Sequence, residues 1–304
     1  MLPQAMLHPS LSAIKQGDIR ALAGGITLIE NQAPGSLELL KELPASPTPV
    51  IGITGPPGAG KSSIVNALTG ILVNQGKKVA ILCIDPSSPF HHGALLGDRI
   101  RMNQWSGHQN VYIRSLASRG SLGGLHPRIF EITDLLKASP YDFILVETVG
   151  IGQSELEIAS LADLTIVVLT PGSGDEIQAM KAGMMEIADL FVVNKSDHPE
   201  SKQFISHLKS ALHLGAKEIT IIETTATEGK GVDLLADAIA ASLHSNRQKE
   251  PRNLTEKAYR LILAEKMKTI DKKEIFKKIQ LELPGGNFNV YRFVEDYLAE
   301  DPKT

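Results

Sequence analysis

The sequence has little of what several protein classes require. It contains one cysteine, Cys83, in 304 residues, so one chain can form neither a disulfide framework nor a cysteine-based metal site. The 31 lysines and arginines nearly balance the 34 aspartates and glutamates, and this mixed charge is not typical of nucleic-acid binding. No apolar run approaches the length of a membrane span. We therefore expect neither a nucleic acid nor a membrane as a partner.

The amino terminus has no basic stretch followed by a continuous apolar core, and it is not rich in arginine. It therefore resembles neither a secretory signal nor a transit peptide, and we expect a cytoplasmic protein. Hydrophobic residues make up 42% of the chain. At this length they are sufficient for one large core with appended segments.

The strongest motif lies in residues 50–66, VIGITGPPGAGKSSIVN. Gly55, Gly60, Lys61 and Ser62 have the spacing of the P-loop, GxxxxGK[ST], between a strand-like run and a helix-period segment. Glycines let backbone N–H groups turn towards a phosphate, Lys61 supplies positive charge, and the Ser62 hydroxyl can bind magnesium. A glycine-rich turn that matches by chance is the alternative, and the flanking segments argue against it. The predicted phosphate-binding residues are Gly55, Pro56, Pro57, Gly58, Ala59, Gly60, Lys61, Ser62 and Ser63.

Between residues 48 and 246, short apolar runs alternate with helical patterns. These runs are rich in Val, Ile and Leu without clean alternation, as strands buried on both faces of a mainly parallel sheet are. They predict an α/β, doubly wound fold, in which ligands bind beyond the carboxyl ends of the strands. The seven predicted strands are residues 50–54, 79–84, 111–113, 143–146, 164–169, 190–193 and 218–222.

Two further regions flank this predicted P-loop domain. Residues 1–47 predict a helical extension, with one helix from Ser10 to Leu22 and a second from Ile26 to Leu43. We expect a break at Gly24 and Gly25, because each glycine in a helix interior costs about 1 kcal/mol relative to alanine.

The sequence of residues 247–304 predicts a helical arm rich in Lys and Glu. Such charge is typical of a solvated helix face, but the arm also carries an apolar stripe that must be covered, which favours a dimer contact.

Acidic residues follow two of the predicted strands. Asp85 and Asp98 come after the second strand and are placed to face the phosphates or their metal. Alternatively, Asp85 caps a turn with Pro86 and Asp98 caps a helix, and these roles are compatible with the first. Glu147 directly follows the fourth predicted strand and Gly150 comes three residues later, as in the Walker-B and switch pattern. Glu147 would hold magnesium or its water, and the Gly150 N–H would meet the γ-phosphate.

The sequence Asn194-Lys195-Ser196-Asp197 follows the sixth strand and matches the NKxD pattern of guanine recognition. The Asp197 carboxylate can accept hydrogen bonds from N1–H and the exocyclic amine of guanine, a pair that adenine does not present. Lys195 would lie over the base and Asn194 would tie this loop to the P-loop. Alone the pattern is weak, since Asn and Asp also form turns. After the seventh strand we expect Ala226, flanked by Thr225 and Thr227, to donate to guanine O6.

Residues 170–181, TPGSGDEIQAMK, follow the fifth strand. They predict either a loop that senses the nucleotide, with Lys181 as its contact, or an ordinary loop and helix start. The adjacent His91 and His92 do not put two ligands on one helix face, so a solvated pair is the simpler interpretation.

With these motifs in this order, the chain resembles the MeaB/ArgK family of GTPases, in the SIMIBI class of dimeric P-loop GTPases. The resemblance implies GTP or GDP as ligand, Mg²⁺ as cofactor held by Ser62, Asp85, Asp98 and Glu147, and a homodimer. It also implies a chaperone of a cobalamin-dependent acyl-CoA mutase, typically methylmalonyl-CoA mutase, that gates adenosylcobalamin delivery and protects or reactivates the mutase. Residues 85–98, 147–150 and 171–181 resemble the three switches.

Three features depart from this family. They are the Gly24-Gly25 pair, the His91-His92 pair and a short carboxyl-terminal arm, and none lies in a nucleotide motif. The sequence has no obvious arginine finger, so we expect slow intrinsic GTP hydrolysis that a partner accelerates, with Lys61, Asp98, Glu147 and Gly150 as catalytic candidates. The rival hypotheses are a kinase of a periplasmic amino-acid-binding protein, a metal-insertion GTPase, and a structural partner with an inactive P-loop.

Overall fold

The computed structural model describes residues 9–85, 102–118, 125–148, 154–172, 183–213, 219–245, 250–267, 270–283 and 288–300. The chain divides into two compact units, Met1–Glu250 and Pro251–Thr304. In the described residues, the first unit contains one sheet with helices and the second contains helices.

The sheet of the first unit has seven strands in the order β3-β2-β4-β1-β5-β6-β7. All neighbouring strands pair in parallel, so the predicted α/β doubly wound class is confirmed. Each predicted apolar run forms a strand, although the ends of four of them shift. The strands are β1 Val50–Thr54, β2 Val79–Asp85, β3 Val111–Ala117, β4 Phe143–Glu147, β5 Leu164–Leu169, β6 Leu190–Val193 and β7 Thr220–Glu223.

Helices flank the sheet of the first unit, and the described part of the second unit is also helical. Those up to residue 245 are α1 Leu11–Lys15, α2 Ile19–Glu30, α3 Ser36–Lys41, α4 Lys61–Asn74, α5 Ile129–Lys137, α6 Ser154–Leu161, α7 Met184–Ile187, α8 Ser201–His213 and α9 Val232–Ser245. The later ones are α10 Glu250–Lys266, α11 Lys272–Glu282 and α12 Val290–Glu300.

The two faces of β1 belong to different parts of the core. Ile51 and Ile53 pack in a cluster with Ile64 and Leu68 of α4, the helix that follows the P-loop. Val50 belongs to a second cluster, which includes residues of α5 and of the amino-terminal helices α1, α2 and α3. The amino-terminal helices are therefore an integral layer of the core of the first unit.

The predicted helix break at Gly24 and Gly25 is wrong, because α2 runs unbroken through both glycines. Its start is fixed by Asp18, whose carboxylate accepts the N–H groups of Arg20 and Ala21 at 2.8 and 2.9 Å. A Cβ at the buried Gly25 would lie 2.9 Å from Leu135 Cδ2. The glycine therefore permits close packing of α2 on α5, and this packing outweighs the weak helix propensity.

The second unit has a small aromatic cluster. The ring of Phe293, in α12, lies 5.8 Å from Phe288 and 6.0 Å from Tyr297 between centroids, and Lys278 Nζ lies 4.8 Å from the centre of the Tyr297 ring. Many other apolar side chains of α10, α11 and α12 are exposed. No helix among the described residues combines the length and apolar character needed to cross a membrane. The cytoplasmic location stays a prediction.

Candidate nucleotide-binding site

The predicted site residues that the structure describes lie at the carboxyl-terminal edge of the sheet. The P-loop follows β1, Glu147 ends β4, and Asp85 ends β2. Asn194 follows β6, and Thr225 lies two residues beyond β7. Parallel strands bring these positions to one edge of the sheet, as the doubly wound fold requires.

The P-loop needs glycine for two different reasons. Gly55, Gly58 and Gly60 have φ of +139°, +77° and +89°, a backbone region that residues with a side chain rarely adopt. Gly55 and Gly60 are also in close contact with their neighbours. A Cβ at Gly55 would lie 2.0 Å from the carbonyl oxygen of Val168, and a Cβ at Gly60 would lie 2.2 Å from Asn194 Nδ2. The Gly60 contact packs the phosphate loop directly against the NKxD loop.

Lys61 begins α4 and is almost fully buried, with 6% of its surface exposed. Its Nζ donates hydrogen bonds to the carbonyl oxygens of Gly55 and Pro56 at 2.9 and 3.0 Å. The ammonium group is thus held at the loop. Its charge there, together with the positive end of the α4 dipole, favours an anion.

Ser62 and Glu147 meet between α4 and β4. The Ser62 hydroxyl donates to Glu147 Oε1 at 2.5 Å, and both side chains are buried. Glu147 is opposite Ile53 of β1 in the sheet, which places its carboxylate beside the start of α4. Hydroxyl and carboxylate oxygens are the ligands that Mg²⁺ prefers.

Asp85 lies at the same edge, two residues beyond Cys83, which pairs with Glu147. It is buried, with 2% of its surface exposed, and its backbone carbonyl accepts the Ser118 N–H at 2.9 Å. Its role at a metal stays a prediction. The other predicted residues of the switches, Asp98, Gly150 and Lys181, lie outside the described residues, as does the histidine pair 91–92.

Asn194 connects three loops. Its Nδ2 donates to the Ala59 carbonyl at 3.0 Å, which is the tie to the P-loop that the sequence predicts. Its Oδ1 accepts from the Thr224 hydroxyl and the Ala226 N–H, both at 3.1 Å. Only 3% of the surface of Asn194 is exposed, so this buried amide holds the loops of the site together.

Lys195 and Asp197 lie nearer the surface than Asn194. Lys195 has φ of +56°, and its Nζ donates to the Gly58 carbonyl at 3.0 Å, so its stem reaches from the NKxD loop to the P-loop. The Thr225 hydroxyl donates to Asp197 Oδ1 at 3.4 Å and lies 3.2 Å from the Ser196 hydroxyl. These contacts hold the carboxylate that we predict to bind guanine.

The Ala226 N–H, predicted to donate to guanine O6, has an internal acceptor in Asn194 Oδ1. Its contact with guanine stays a prediction, as does that of Thr227, which lies in the 3₁₀ helix Ala226–Glu228. Sequence reasoning gave no role to Thr224, although it is fully buried and fixes Asn194. The signal that could have found it is a polar residue directly after an apolar strand.

Comparison with known proteins decides the family. A family model described as "Methylmalonyl Co-A mutase-associated GTPase MeaB" matches residues 22–281. The chain belongs to this family. The resemblance given by the motifs is thereby confirmed, and with it the activity of the chain as a GTPase.

Individual relatives agree with the family model. GTPase ArgK of Escherichia coli K12 is 37% identical over 253 residues, covering 79% of this chain and 76% of ArgK. A mouse protein named "Methylmalonic aciduria type A homolog, mitochondrial" is 34% identical over 257 residues, covering 77% of this chain and 62% of that protein. The crystal structure of a protein named "LAO/AO transport system kinase" superposes with a TM-score of 0.69 and 27% identity, covering 98% of this chain and 99% of that one. The superposition extends the likeness to the fold.

Proposed function

We propose that this member of the MeaB family is a GTP-dependent chaperone of a cobalamin-dependent acyl-CoA mutase of the methylmalonyl-CoA mutase type. In this role it gates delivery of adenosylcobalamin and protects or reactivates the mutase. The observation that carries the proposal is the family match over residues 22–281. The name of the mouse relative refers to methylmalonic aciduria, which is consistent with a link to methylmalonyl compounds.

Guanine selectivity follows from the NKxD loop. We assign the Asp197 carboxylate to accept hydrogen bonds from the N1–H and exocyclic amine of guanine, and Lys195 to lie over the face of the base. Asn194 links the NKxD loop to the P-loop. This link is supported by the hydrogen bonds of Asn194 and Lys195 to the P-loop carbonyls of Ala59 and Gly58. Because the two loops are tied directly, a base that fits poorly disturbs the loop that holds the phosphates.

The phosphates lie in the P-loop under the same proposal. The backbone N–H groups of the P-loop residues other than Pro56 and Pro57, which have none, stabilise negative charge as the γ-phosphoryl group transfers to water, together with the positive end of α4 and the Lys61 ammonium. Water adds across the bond between the γ-phosphorus and the bridging oxygen, giving GDP and phosphate. Intrinsic turnover is slow in this account, because a partner completes the arrangement of the switches.

The donor set fits magnesium. Ser62 and Glu147 provide hard oxygen ligands on adjacent elements, and Asp85 ends the neighbouring strand. We assign Ser62, Glu147, Asp85 and Asp98 to the ion, directly or through water. When bound, Mg²⁺ neutralises charge on the β- and γ-phosphates.

The second unit is our candidate for a homodimer contact. Its helices expose large apolar side chains, among them Ile262 at 62%, Leu281 at 81% and Tyr291 at 84%. An apolar surface of this kind on a charged helical arm favours contact with a second copy. Light scattering after size exclusion tests this assignment. It predicts the mass of two chains, whereas the mass of one chain would contradict it.

The proposal is tested by isothermal titration of GTP, GDP and ATP in Mg²⁺ buffer, with the protein alone and mixed with purified methylmalonyl-CoA mutase. We expect guanine nucleotides to bind more tightly than ATP and their affinity to shift when the mutase is present. Such a shift requires a free-energy coupling between the two sites. Equal binding of ATP would contradict the assignment of the NKxD loop, and an unshifted affinity would contradict the mutase as partner.

One rival has a specific observation in its favour. The protein in the matching crystal structure is named a transport system kinase, which suggests a phosphorylated protein as product. A kinase of this type would transfer the γ-phosphoryl group of ATP to a protein. The two proposals are separated by the products from γ-labelled nucleotide: a labelled protein supports the kinase, and labelled inorganic phosphate from GTP supports the chaperone.

The metal-insertion hypothesis has no comparable support. In the part of the chain that the structure describes, no group of three or more His, Cys, Asp or Glu side chains is arranged to hold a metal ion. Cys83, the single cysteine, is buried in β2. The inactive P-loop hypothesis conflicts with the intact Lys61 and with the paired Ser62 and Glu147.

A further inference from the structure

A second pair of side chains joins the P-loop strand to the strand that carries Glu147. The Thr148 hydroxyl donates to the Thr54 hydroxyl at 2.9 Å, and the exposed fractions of these residues are 1% and 0%. The Thr148 N–H also donates to the Ile53 carbonyl at 3.0 Å. The pairing of β1 with β4 therefore continues one residue past Glu147 and ends in this hydroxyl pair.

The hydroxyl pair and the Glu147 carboxylate lie on opposite faces of the sheet. Successive side chains of a strand alternate between faces. Leu145 packs in the cluster that includes α4, and Glu147, two residues on, meets Ser62 of α4. Val146 packs in the cluster that includes α5, and Thr148 follows the same alternation. The chain is thus held on both faces of the sheet at the point where β4 ends.

Both attachments lead to the P-loop, but to different ends of it. Thr54 immediately precedes Gly55, the first residue of the loop, and Ser62 lies near its end. Glu147 and Thr148, the last residue of β4 and the next in the chain, are therefore bonded to the two ends of the phosphate-binding loop. The direction of the Glu147 carboxylate relative to the loop depends on both bonds.

We propose that Thr54 and Thr148 form a positioning pair, which orients Glu147 for the magnesium ion. This inference rests on the proposed function, because it takes Glu147 as a residue that holds the ion. Mg²⁺ requires nearly ideal octahedral geometry with ligand distances of about 2.0–2.1 Å. A small rotation of the Glu147 backbone would therefore weaken the site. Neither threonine is a catalytic residue in this account, since each acts through Glu147.

The test is the magnesium dependence of GDP release. Release of a fluorescent GDP analogue is followed at a series of Mg²⁺ concentrations, with excess unlabelled GDP as the chase, for the full-length protein and its variants. In Thr148→Val the side chain keeps its shape but loses the hydroxyl. One Mg²⁺ concentration brings the release rate half-way between its values without Mg²⁺ and at saturating Mg²⁺. We expect this concentration to rise about tenfold, as loss of a group that orients a metal ligand typically causes. Affinity for the analogue in EDTA is expected to stay unchanged.

Three further variants separate positioning from stability. Thr148→Ser keeps the hydroxyl and should restore the wild-type Mg²⁺ dependence. Thr54→Val with Thr148→Val replaces both partners by apolar groups, which avoids an unpaired buried hydroxyl, and should shift the dependence no further than Thr148→Val alone. Thr133→Val is the matched control: its buried hydroxyl donates to the Ile129 carbonyl in α5, away from the P-loop. It should leave the dependence unchanged.

The outcomes distinguish the inference from the function on which it rests. A Thr148→Val protein with a lower melting temperature but wild-type Mg²⁺ dependence would overturn the positioning role and leave the proposed GTPase chaperone intact. A wild-type protein that does not bind the GDP analogue in Mg²⁺ would overturn both. The inference is supported if the shift appears in Thr148→Val, is absent in Thr133→Val, and is reversed in Thr148→Ser.

Discussion

Replacing Gly60 by alanine tests the close contact between the P-loop and the NKxD loop. The new Cβ would lie 2.2 Å from Asn194 Nδ2, so either the loop or the amide must move. Asn194 cannot swing aside without losing its bonds to Ala59, Thr224 and Ala226. Gly58→Ala is a matched control, because Gly58 also has positive φ, +77°, but a Cβ there meets nothing within 4 Å.

The two variants should therefore differ by the energy of the Asn194 contacts. The left-handed backbone costs each alanine about 1–2 kcal/mol. Three hydrogen bonds at about 1 kcal/mol each add about 3 kcal/mol for Gly60→Ala alone. For a domain of this size, each kcal/mol lowers the melting temperature by about 2–4 °C. Gly60→Ala should thus melt about 6–12 °C below Gly58→Ala when both are followed by circular dichroism.

A double-mutant cycle identifies the cause of this difference. In an Asn194→Ala background the clash is absent, so Gly60→Ala should cost only about 1–2 kcal/mol, the backbone term. Equal melting temperatures for Gly60→Ala and Gly58→Ala would refute the reasoning. An unchanged cost of Gly60→Ala in the Asn194→Ala background would also refute it, because the energy would then come from somewhere other than the amide.

Two further predictions concern base recognition and helix packing. Asp197→Ala should lower GTP affinity about 100-fold or more, because hydrogen bonds to a charged group contribute about 1.5–3 kcal/mol each. ATP affinity should not change, and direct isothermal titration of each nucleotide measures both, since Asp197→Ala would also weaken a GDP-based probe; parallel loss of ATP binding would argue against base recognition by this side chain. Gly25→Ala should destabilise the protein by about 1–3 kcal/mol through its contact with Leu135. Gly24→Ala, whose Cβ would lie 3.9 Å from Pro9, should stabilise it by about 1 kcal/mol in urea unfolding; equal signs for the two variants would contradict the packing argument.

The five inner strands of the sheet could be predicted because they are almost fully buried. Such a strand is a mainly apolar run, and a run such as residues 164–169 can be recognised without knowing its neighbours. The edge strands β3 and β7 are less buried. The unbroken course of α2 through Gly24 and Gly25 could not be predicted in this way. Its packing involves the close approach of Leu135 to Gly25, more than 100 residues apart in the sequence, and local helix propensity does not contain this contact.

The same difference between local patterns and long-range contacts applies to the site. The P-loop and NKxD residues have a fixed spacing along the chain, so they can be predicted from the sequence alone. Thr54, Thr148 and Thr224 have no such pattern, since their contacts arise from strand register and from the meeting of separate loops. Threonine is common in strands, and only the folded chain distinguishes a hydroxyl that fixes a functional side chain from one that does not.

The central claim is that a mutase controls this GTPase. The most direct test is the rate of phosphate release from GTP, measured with and without purified methylmalonyl-CoA mutase, with Asp197→Ala as a variant expected to lose GTP binding. The account predicts slow hydrolysis by the protein alone and a saturable acceleration by the mutase that Asp197→Ala abolishes. Rapid hydrolysis by the protein alone, at a rate that the mutase does not change, would contradict it.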